Sequence, residues 1–275
     1  MKALILGSKG SLGQEFLELY GNSALGWDRE QVDITDEAGI TAKIAEAKPE
    51  MVINCAAYND VDGAEENRSA AENINGYAVG FVAKACNGLG IPLVHFSTNY
   101  VFDGGKQEGY NEDDIPNPRS AYGKSKLLGE IELQKNTDKF YLIRTAWLYG
   151  KPGMKKSFVE VMLTLGQKGQ PIEAIEDEFA SPTYTKDLAE AVAALVKIDK
   201  PFGIYHLTNA GFTSWYDWAK EIFAIKNIEV NVSAVEAQKF AGKRKAARPK
   251  YGILNNTKFI ELRPWAEALK EYLET

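Results

Sequence analysis

The chain has 275 residues, 45% hydrophobic and 25% charged, enough to bury a large core as one α/β unit or two joined domains. Its net charge of −6 argues against general nucleic-acid binding, which needs Lys and Arg to neutralise phosphates. No apolar run approaches the roughly 20 residues of a membrane span, and two cysteines, Cys55 and Cys86, with neither disulfide spacing nor metal-ligand company, fit a reducing cytoplasm. Short apolar runs then alternate with helical patterns. "KALILG" predicts a first strand, "SLGQEFLELYG" a helix, "SALGWD" a second strand and "TDEAGITAKIAEA" the next helix. "MVINCAA", "RSAAENINGYAVGFVAKACNGLG" and "IPLVHFST" continue the alternation, and "SKLLGEIELQK" and "FYLIRTAW" close it. Strands alternating with helices predict parallel βαβ units, and continuously apolar strands predict burial on both faces.

The expected fold class is therefore α/β, a Rossmann-like doubly wound parallel sheet over residues 1–150 with a smaller C-terminal substrate-binding lobe over 151–275. Pro171, Pro182, Pro201, Pro249 and Pro264 interrupt the alternation in the second half, and roughly 176–200 is expected to return to the first domain. Gly7, Gly10 and Gly13 stand directly after the first strand and open the first helix. Glycines there let the backbone turn and approach a pyrophosphate, while helix N–H groups and the helix dipole favour its charge. Lys9, Ser11 and Leu12 belong to the same loop. About 20 residues on, Asp28 ends the second strand, where an acid suits the adenosine ribose of NAD. Arg29 beside it, and Lys9, suit a 2′-phosphate instead. The balance favours NADPH, with NADH the alternative. Asp33 and Ile34 flank the adenine, unless Asp33 caps a turn. Cys55, Ala56, Ala57 and Tyr58 follow the third strand, where the small residues serve either cofactor contact or strand–helix packing.

Two Tyr-x-x-x-Lys pairs occur, Tyr122 with Lys126 and Tyr216 with Lys220. Ligands of a doubly wound sheet collect beyond the carboxyl ends of its strands. Thr98 ends the fourth strand and Tyr122 opens the following helix, whereas Tyr216 lies between Trp215 and Trp218 in the looser half, where packing is expected. Thr98, Tyr122 and Lys126 are thus the candidate catalytic set, with the ammonium four residues on favouring the phenolate. Asn99, Tyr100, Val101 and Phe102 follow Thr98 and border the substrate, or else the aromatics join the core. Trp147, after the fifth strand, stacks on a sugar or base, or packs. Arg248 in "KRKAARPK" is the candidate for phosphate oxygens. His95 and His206 sit in apolar strands and read as structural. Glu65, Glu66, Asp113 and Asp114 read as surface charges, and no metal site is expected.

The glycine loop, the threonine after the fourth strand and Tyr-x-x-x-Lys together look like an extended short-chain dehydrogenase/reductase. With "NCAAYNDVDGAE", "STNYVFDGG", "SAYGKSK", "IRTAWLYG", "FASPT" and "ARPKYGILN", the chain resembles the dTDP-4-dehydrorhamnose reductase family over nearly its whole length. The resemblance implies NAD(P)H-dependent reduction of the 4-keto group of a dTDP-deoxysugar, dTDP-4-dehydro-L-rhamnose first among them. It implies Tyr122 protonating the nascent alkoxide, Thr98 holding its oxygen, and Lys126 lowering the Tyr122 pKa and holding the nicotinamide ribose. A nucleotide-sugar substrate, a monomer or homodimer, and neither nucleic-acid nor membrane partners follow. The chain departs from the family pattern at Asn99, in place of Asp, at Asn59 and Gly63, in place of Thr and Lys, at Ser157, in place of Asn, at Glu178, in place of Gln, and at Gly252, in place of Ser. The alternatives are a reductase or epimerase of another nucleotide sugar, and a non-catalytic NADP-binding regulatory subunit.

Overall fold

The computed structural model describes residues 2–153 and 156–274. Strand β1 (Ala3–Leu6) leads into helix α1 (Ser11–Tyr20), then β2 (Ala24–Trp27), α2 (Glu37–Ala47) and β3 (Met51–Asn54). Two short helices, α3 (Gly63–Glu66) and α4 (Arg68–Glu72), run through a π-helical segment (Asn73–Tyr77) into α5 (Ala78–Leu89). Strand β4 (Leu93–Thr98), helix α6 (Ala121–Asn136) and strand β5 (Phe140–Thr145) complete the first half. The alternation read from the sequence is present element for element. Local chemistry sets several boundaries: Asp36 caps α2 by accepting from Gly39 N, and Ser120 caps α6 by accepting from Gly123 N.

The second half opens with β6 (Leu148–Tyr149), α7 (Phe158–Gly166), β7 (Ile172–Ile175), β8 (Phe179–Ala180) and β9 (Thr183–Tyr184). Helix α8 (Thr185–Lys197) and strand β10 (Gly203–His206) then rejoin the main sheet. Strand β10 follows Pro201 and lies at the edge of the sheet beside β5. Strands β11 (Thr213–Ser214) and β12 (Val232–Val235) and helices α9 (Trp215–Lys226) and α10 (Trp265–Glu274) follow.

The main sheet is parallel, in the order β10-β5-β4-β3-β1-β2. Its order reverses at β1, since β2 lies on one side and β3 on the other, and that switch point is where ligands gather. Alternate residues divide between two cores. Ala3 and Ile5 pack with Phe16 of α1 and Leu188 and Val192 of α8, while Leu4 and Leu6 pack with Ile40 and Ile44 of α2 and Val79 and Val82 of α5. A third core around Trp218, Phe223, Tyr149 and Leu269 belongs to the C-terminal lobe.

One buried ion pair ties α6 to the sheet. Glu130 and Arg144 are 1% and 2% exposed and meet through two bonds, Nε–Oε1 at 3.0 Å and Nη2–Oε2 at 2.7 Å. Ser97 on β4 also donates to Glu130, and Arg144 Nη1 donates to the Glu112 carbonyl at 3.2 Å. Removing one partner strands the other's charge in the core, at a cost of about 3–5 kcal/mol, whereas removing both does not. Glu130→Leu and Arg144→Met should each lower the urea midpoint steeply, and the double variant should regain most of the loss. A double variant as unstable as the sum of the singles would mean the pair is not the linkage.

Candidate active site

The glycine loop is shaped by contact as well as by conformation. Gly7 has φ +75°, and a Cβ there would lie 2.7 Å from Ala56 N, so a side chain is excluded by strain and by space. A Cβ on Gly13 would overlap the Gly7 carbonyl. Gly10 caps α1 without a side-chain bond, so the first N–H groups of the helix are left to a ligand. Among the described residues the buried Ser11 hydroxyl at this terminus has no hydrogen-bond partner. These features fit a nucleotide pyrophosphate. Asp28 holds the loop itself, accepting from Ser8 Oγ at 2.8 Å and from Lys9 N at 2.7 Å. Lys9 pairs with Glu30, and Arg29 lies 3.6 Å from Asp33, both at exposed positions. Such exposed pairs are weak, being screened by solvent, so either cation can be redirected to an incoming anion. Asp33 also accepts from the Thr35 amide and hydroxyl, which is the turn-capping role; Ile34 and Leu12 are buried.

Thr98, Tyr122 and Lys126 come together where β4 ends and α6 begins. Thr98 Oγ1 accepts from Tyr100 N at 3.2 Å, and its hydroxyl acts on the nearby Tyr122 phenol. Gly123, between the tyrosine and the lysine, has no room for a Cβ against the Tyr100 carbonyl, which lets α6 settle onto this strand end. The Tyr100 and Tyr122 rings meet edge to face at 5.5 Å.

The electrostatics differ from the sequence expectation at one point. Burial pushes the Tyr122 phenol well above its usual range; Tyr100 adds to this and the Thr98 hydrogen bond opposes it. Lys126 does not lower it, because its ammonium is turned to the Phe96 carbonyl oxygen at 2.7 Å. Burial also brings Lys126 down to about 8, with Glu130 and then Cys55 opposing. The Cys55 thiol is itself pushed up by burial.

Several other expectations are redistributed. Val101 and Phe102 are 0% and 1% exposed and belong to the core, Phe102 stacking on Tyr110 at 4.2 Å; the turn Asn99–Val101 points them inward, leaving Tyr100 at the site. Trp147 stacks on Trp215 at 3.6 Å and carries φ +44°, a left-handed backbone unusual for a large residue. Arg248 is bound in a two-pronged bridge to Asp62 at 2.9 and 2.7 Å, and its charge opposes the burial that raises the Tyr100 phenol. Arg248 draws the Asp62 carboxyl far below the usual range, helped by the Ala246 and Lys245 amides. Arg244 is matched in the same way by Glu178, at 2.8 Å on each prong. Glu65 accepts from Ala121 N at 2.7 Å, so it braces the start of α6 rather than serving as a plain surface charge. His95 and His206 are fully buried.

Asn75 was not singled out from sequence. In the π-helical segment its amide accepts from Tyr58 N at 2.8 Å and donates to Tyr58 O and Ser125 Oγ, each at 3.0 Å. It thereby pins the loop of Ala56, Ala57 and Tyr58 to α6. The only local signal was an Asn-Gly pair inside an otherwise helical stretch, a poor helix former with a reason to be there.

Four similarities bear on this site. The family profile described as RmlD substrate binding domain matches residues 1–275. The spore coat polysaccharide biosynthesis protein SpsK of Bacillus subtilis is 37% identical over 280 residues, 99% of this chain and 97% of that protein. The dTDP-4-dehydrorhamnose reductase of Streptomyces griseus is 36% identical over 282 residues, 98% of this chain and 91% of that one. The crystal structure of dTDP-4-dehydrorhamnose reductase from Bacillus anthracis, in complex with NADP, superposes with a TM-score of 0.95 at 36% identity, covering 100% of both chains.

The lowered Lys126 pKa has a measurable consequence for stability. Below about pH 8 both folded and unfolded chains carry this ammonium; between about 8 and about 10.5 only the unfolded chain keeps it. The unfolded state then binds the extra proton, so this group's contribution to stability rises with pH across that window. Lys126→Met has no proton to lose, and its advantage in urea midpoint over the unsubstituted protein should shrink between about pH 7.5 and about pH 10. A gap that stays constant would mean the amine is not depressed.

Proposed function

The chain belongs to the RmlD substrate binding domain family, and from that membership we infer that it is an NAD(P)H-dependent oxidoreductase acting on a nucleotide sugar. It reduces the 4-keto group of a deoxysugar nucleotide, dTDP-4-dehydro-L-rhamnose to dTDP-L-rhamnose. The reading is carried by the buried contact of Thr98 with Tyr122 at the carboxyl end of β4, within a chain matched to the family from end to end.

NADPH, when bound, supplies the hydride to the carbonyl carbon. The glycine loop and the α1 N-terminus would hold its pyrophosphate, Asp28 with Arg29 and Lys9 its adenosine end, the loop from Cys55 to Tyr58 its middle, and Lys126 its nicotinamide ribose. The exposed Arg29 and Lys9 favour NADPH, and Asp28 leaves NADH acceptable. Tyr122 gives its proton to the carbonyl oxygen as negative charge develops there. A phenol whose pKa is raised by burial stays protonated at neutral pH, which is the form a proton donor needs. The Lys126 ammonium is present below about pH 8, close to the phenol on the same helix face. Tyr100 and Trp147 form aromatic surface on the substrate side. Arg248 meets the substrate's diphosphate by exchanging Asp62 for phosphate oxygens. The protein acts as a monomer or homodimer, and its two free cysteines support a cytoplasmic location. No helix among the described residues is long and apolar enough to cross a membrane.

Purified protein should oxidise NADPH when given dTDP-4-dehydro-L-rhamnose. Tyr122→Phe should lower kcat by roughly 10²–10⁴ while still binding NADPH, as expected for loss of a general acid. The value of kcat/KM should fall above about pH 8 as Lys126 loses its proton. Turnover that survives Tyr122→Phe would remove the tyrosine from its role. Cofactor binding without consumption, on this and other 4-keto nucleotide sugars, would point to a binding subunit.

A further inference from the structure

Asn99 stands between Thr98 and the C-terminal lobe. Its side chain is 2% exposed. Nδ2 donates to the Gly252 carbonyl oxygen at 3.0 Å, and Oδ1 accepts from Thr98 Oγ1 at 3.2 Å. The orientation of this amide is determined by chemistry. A carbonyl oxygen only accepts, so the Asn99 nitrogen must face Gly252, and its oxygen must face Thr98. Reversing the amide would set two acceptors against each other inside the protein.

The partner position is equally constrained. A Cβ built on Gly252 would overlap Asn99 Nδ2 and lie 3.3 Å from its Cγ. Gly252 does not have a positive φ, so it is glycine for space rather than for backbone freedom. Its own amide donates to Phe179 O at 2.7 Å, which fixes the carbonyl that Asn99 needs.

We propose that Asn99 is a positioning residue that sets the direction of the Thr98 hydroxyl, and that Gly252 is the residue that makes this possible. Thr98 has one hydroxyl proton and gives it to Asn99 Oδ1. Its oxygen is left as an acceptor, towards the Tyr100 amide. Thr98 therefore presents lone pairs, and no free proton, at the end of β4, instead of donating to the substrate oxygen. The chain of donors runs from Thr98 to Asn99, and a separate donor on Asn99 anchors it to the lobe that carries Arg244 and Arg248. This inference deepens the reductase reading and rests on it.

The pairing predicts a specific pattern of loss and rescue. Asn99→Asp replaces the N–H facing Gly252 by a carboxylate oxygen, with no donor to meet it. Gly252→Ser drives the Asn99 amide from its place. In the double variant the serine Cβ moves the carboxylate away from the residue-252 carbonyl, which ends the clash of two acceptors, and the serine hydroxyl can donate to the carboxylate in its new place. The experiment is a double-mutant cycle on N99D and G252S, read by kcat, KM, NADPH affinity from fluorescence titration, and urea midpoint. Each single variant is expected to lose about 10–100-fold in kcat, as the Thr98 hydroxyl loses its fixed direction, with NADPH affinity within about threefold of the unsubstituted protein. The double variant is expected to regain at least about tenfold in kcat and most of the lost urea midpoint. Losses that simply multiply, or single variants with unchanged kcat, overturn the proposal. The urea arm is independent of turnover. If the unsubstituted protein reduces no 4-keto nucleotide sugar, the reductase reading fails by itself, and coupling in the urea midpoints still decides whether Asn99 and Gly252 form the pair.

Discussion

The site depends on how α6 is seated on the sheet, and that seating is governed by the buried Glu130–Arg144 pair. Two ions without water around them are costly, and the cost is recovered only by good geometry with every remaining polar atom satisfied. Here the two-pronged bridge, the Ser97 hydroxyl and the Glu112 carbonyl meet that condition. The pair also has a direction. Lys126 lies one turn upstream of Glu130 and Tyr122 one turn above that, so a helix locked at Glu130 presents both at the end of β4. Glu130 raises the Lys126 pKa against the burial that lowers it, and so one carboxylate serves the fold and the charge state of the site.

Charge at the junction of the two lobes follows a similar logic. Arg244 and Arg248 are basic groups in a region where an anionic substrate is expected, yet each is held by a carboxylate, Glu178 and Asp62 respectively. Bidentate pairing orders a guanidinium and keeps its fork aimed. An arginine already ordered loses less entropy on meeting a diphosphate than a free one would, while the carboxylate must give way. Asp62 also receives two backbone amides from the 245–246 segment, so it joins the 60–66 loop of the first domain to the strand of chain that carries Arg248.

The departures from the family pattern look unrelated along the chain. Two of them, Asn99 and Gly252, are in direct contact, and the missing Cβ of one makes room for the amide of the other. A third, Glu178, is the partner of Arg244. The remaining departures at Asn59, Gly63 and Ser157 have local explanations only in part: Ser157 forms a capping box with Glu160 at the start of α7, and Gly63 donates to Asp60.

Much of this protein was determined by local sequence. The alternation of four- to six-residue apolar runs with helical patterns specified a parallel sheet, because a strand buried on both faces must be apolar throughout. The glycine loop, Thr98 and the Tyr122–Lys126 pair were legible because each is defined by spacing within one strand–helix unit. The tertiary structure decided who meets whom. The Glu130–Arg144, Asn99–Gly252 and Asp62–Arg248 contacts span 14, 153 and 186 residues. No period or propensity encodes such partners. It also decided the direction of the pKa shifts, turning the Tyr122 phenol upward and the Lys126 amine downward, because burial is a property of the folded surroundings and can outweigh a charge one helical turn away.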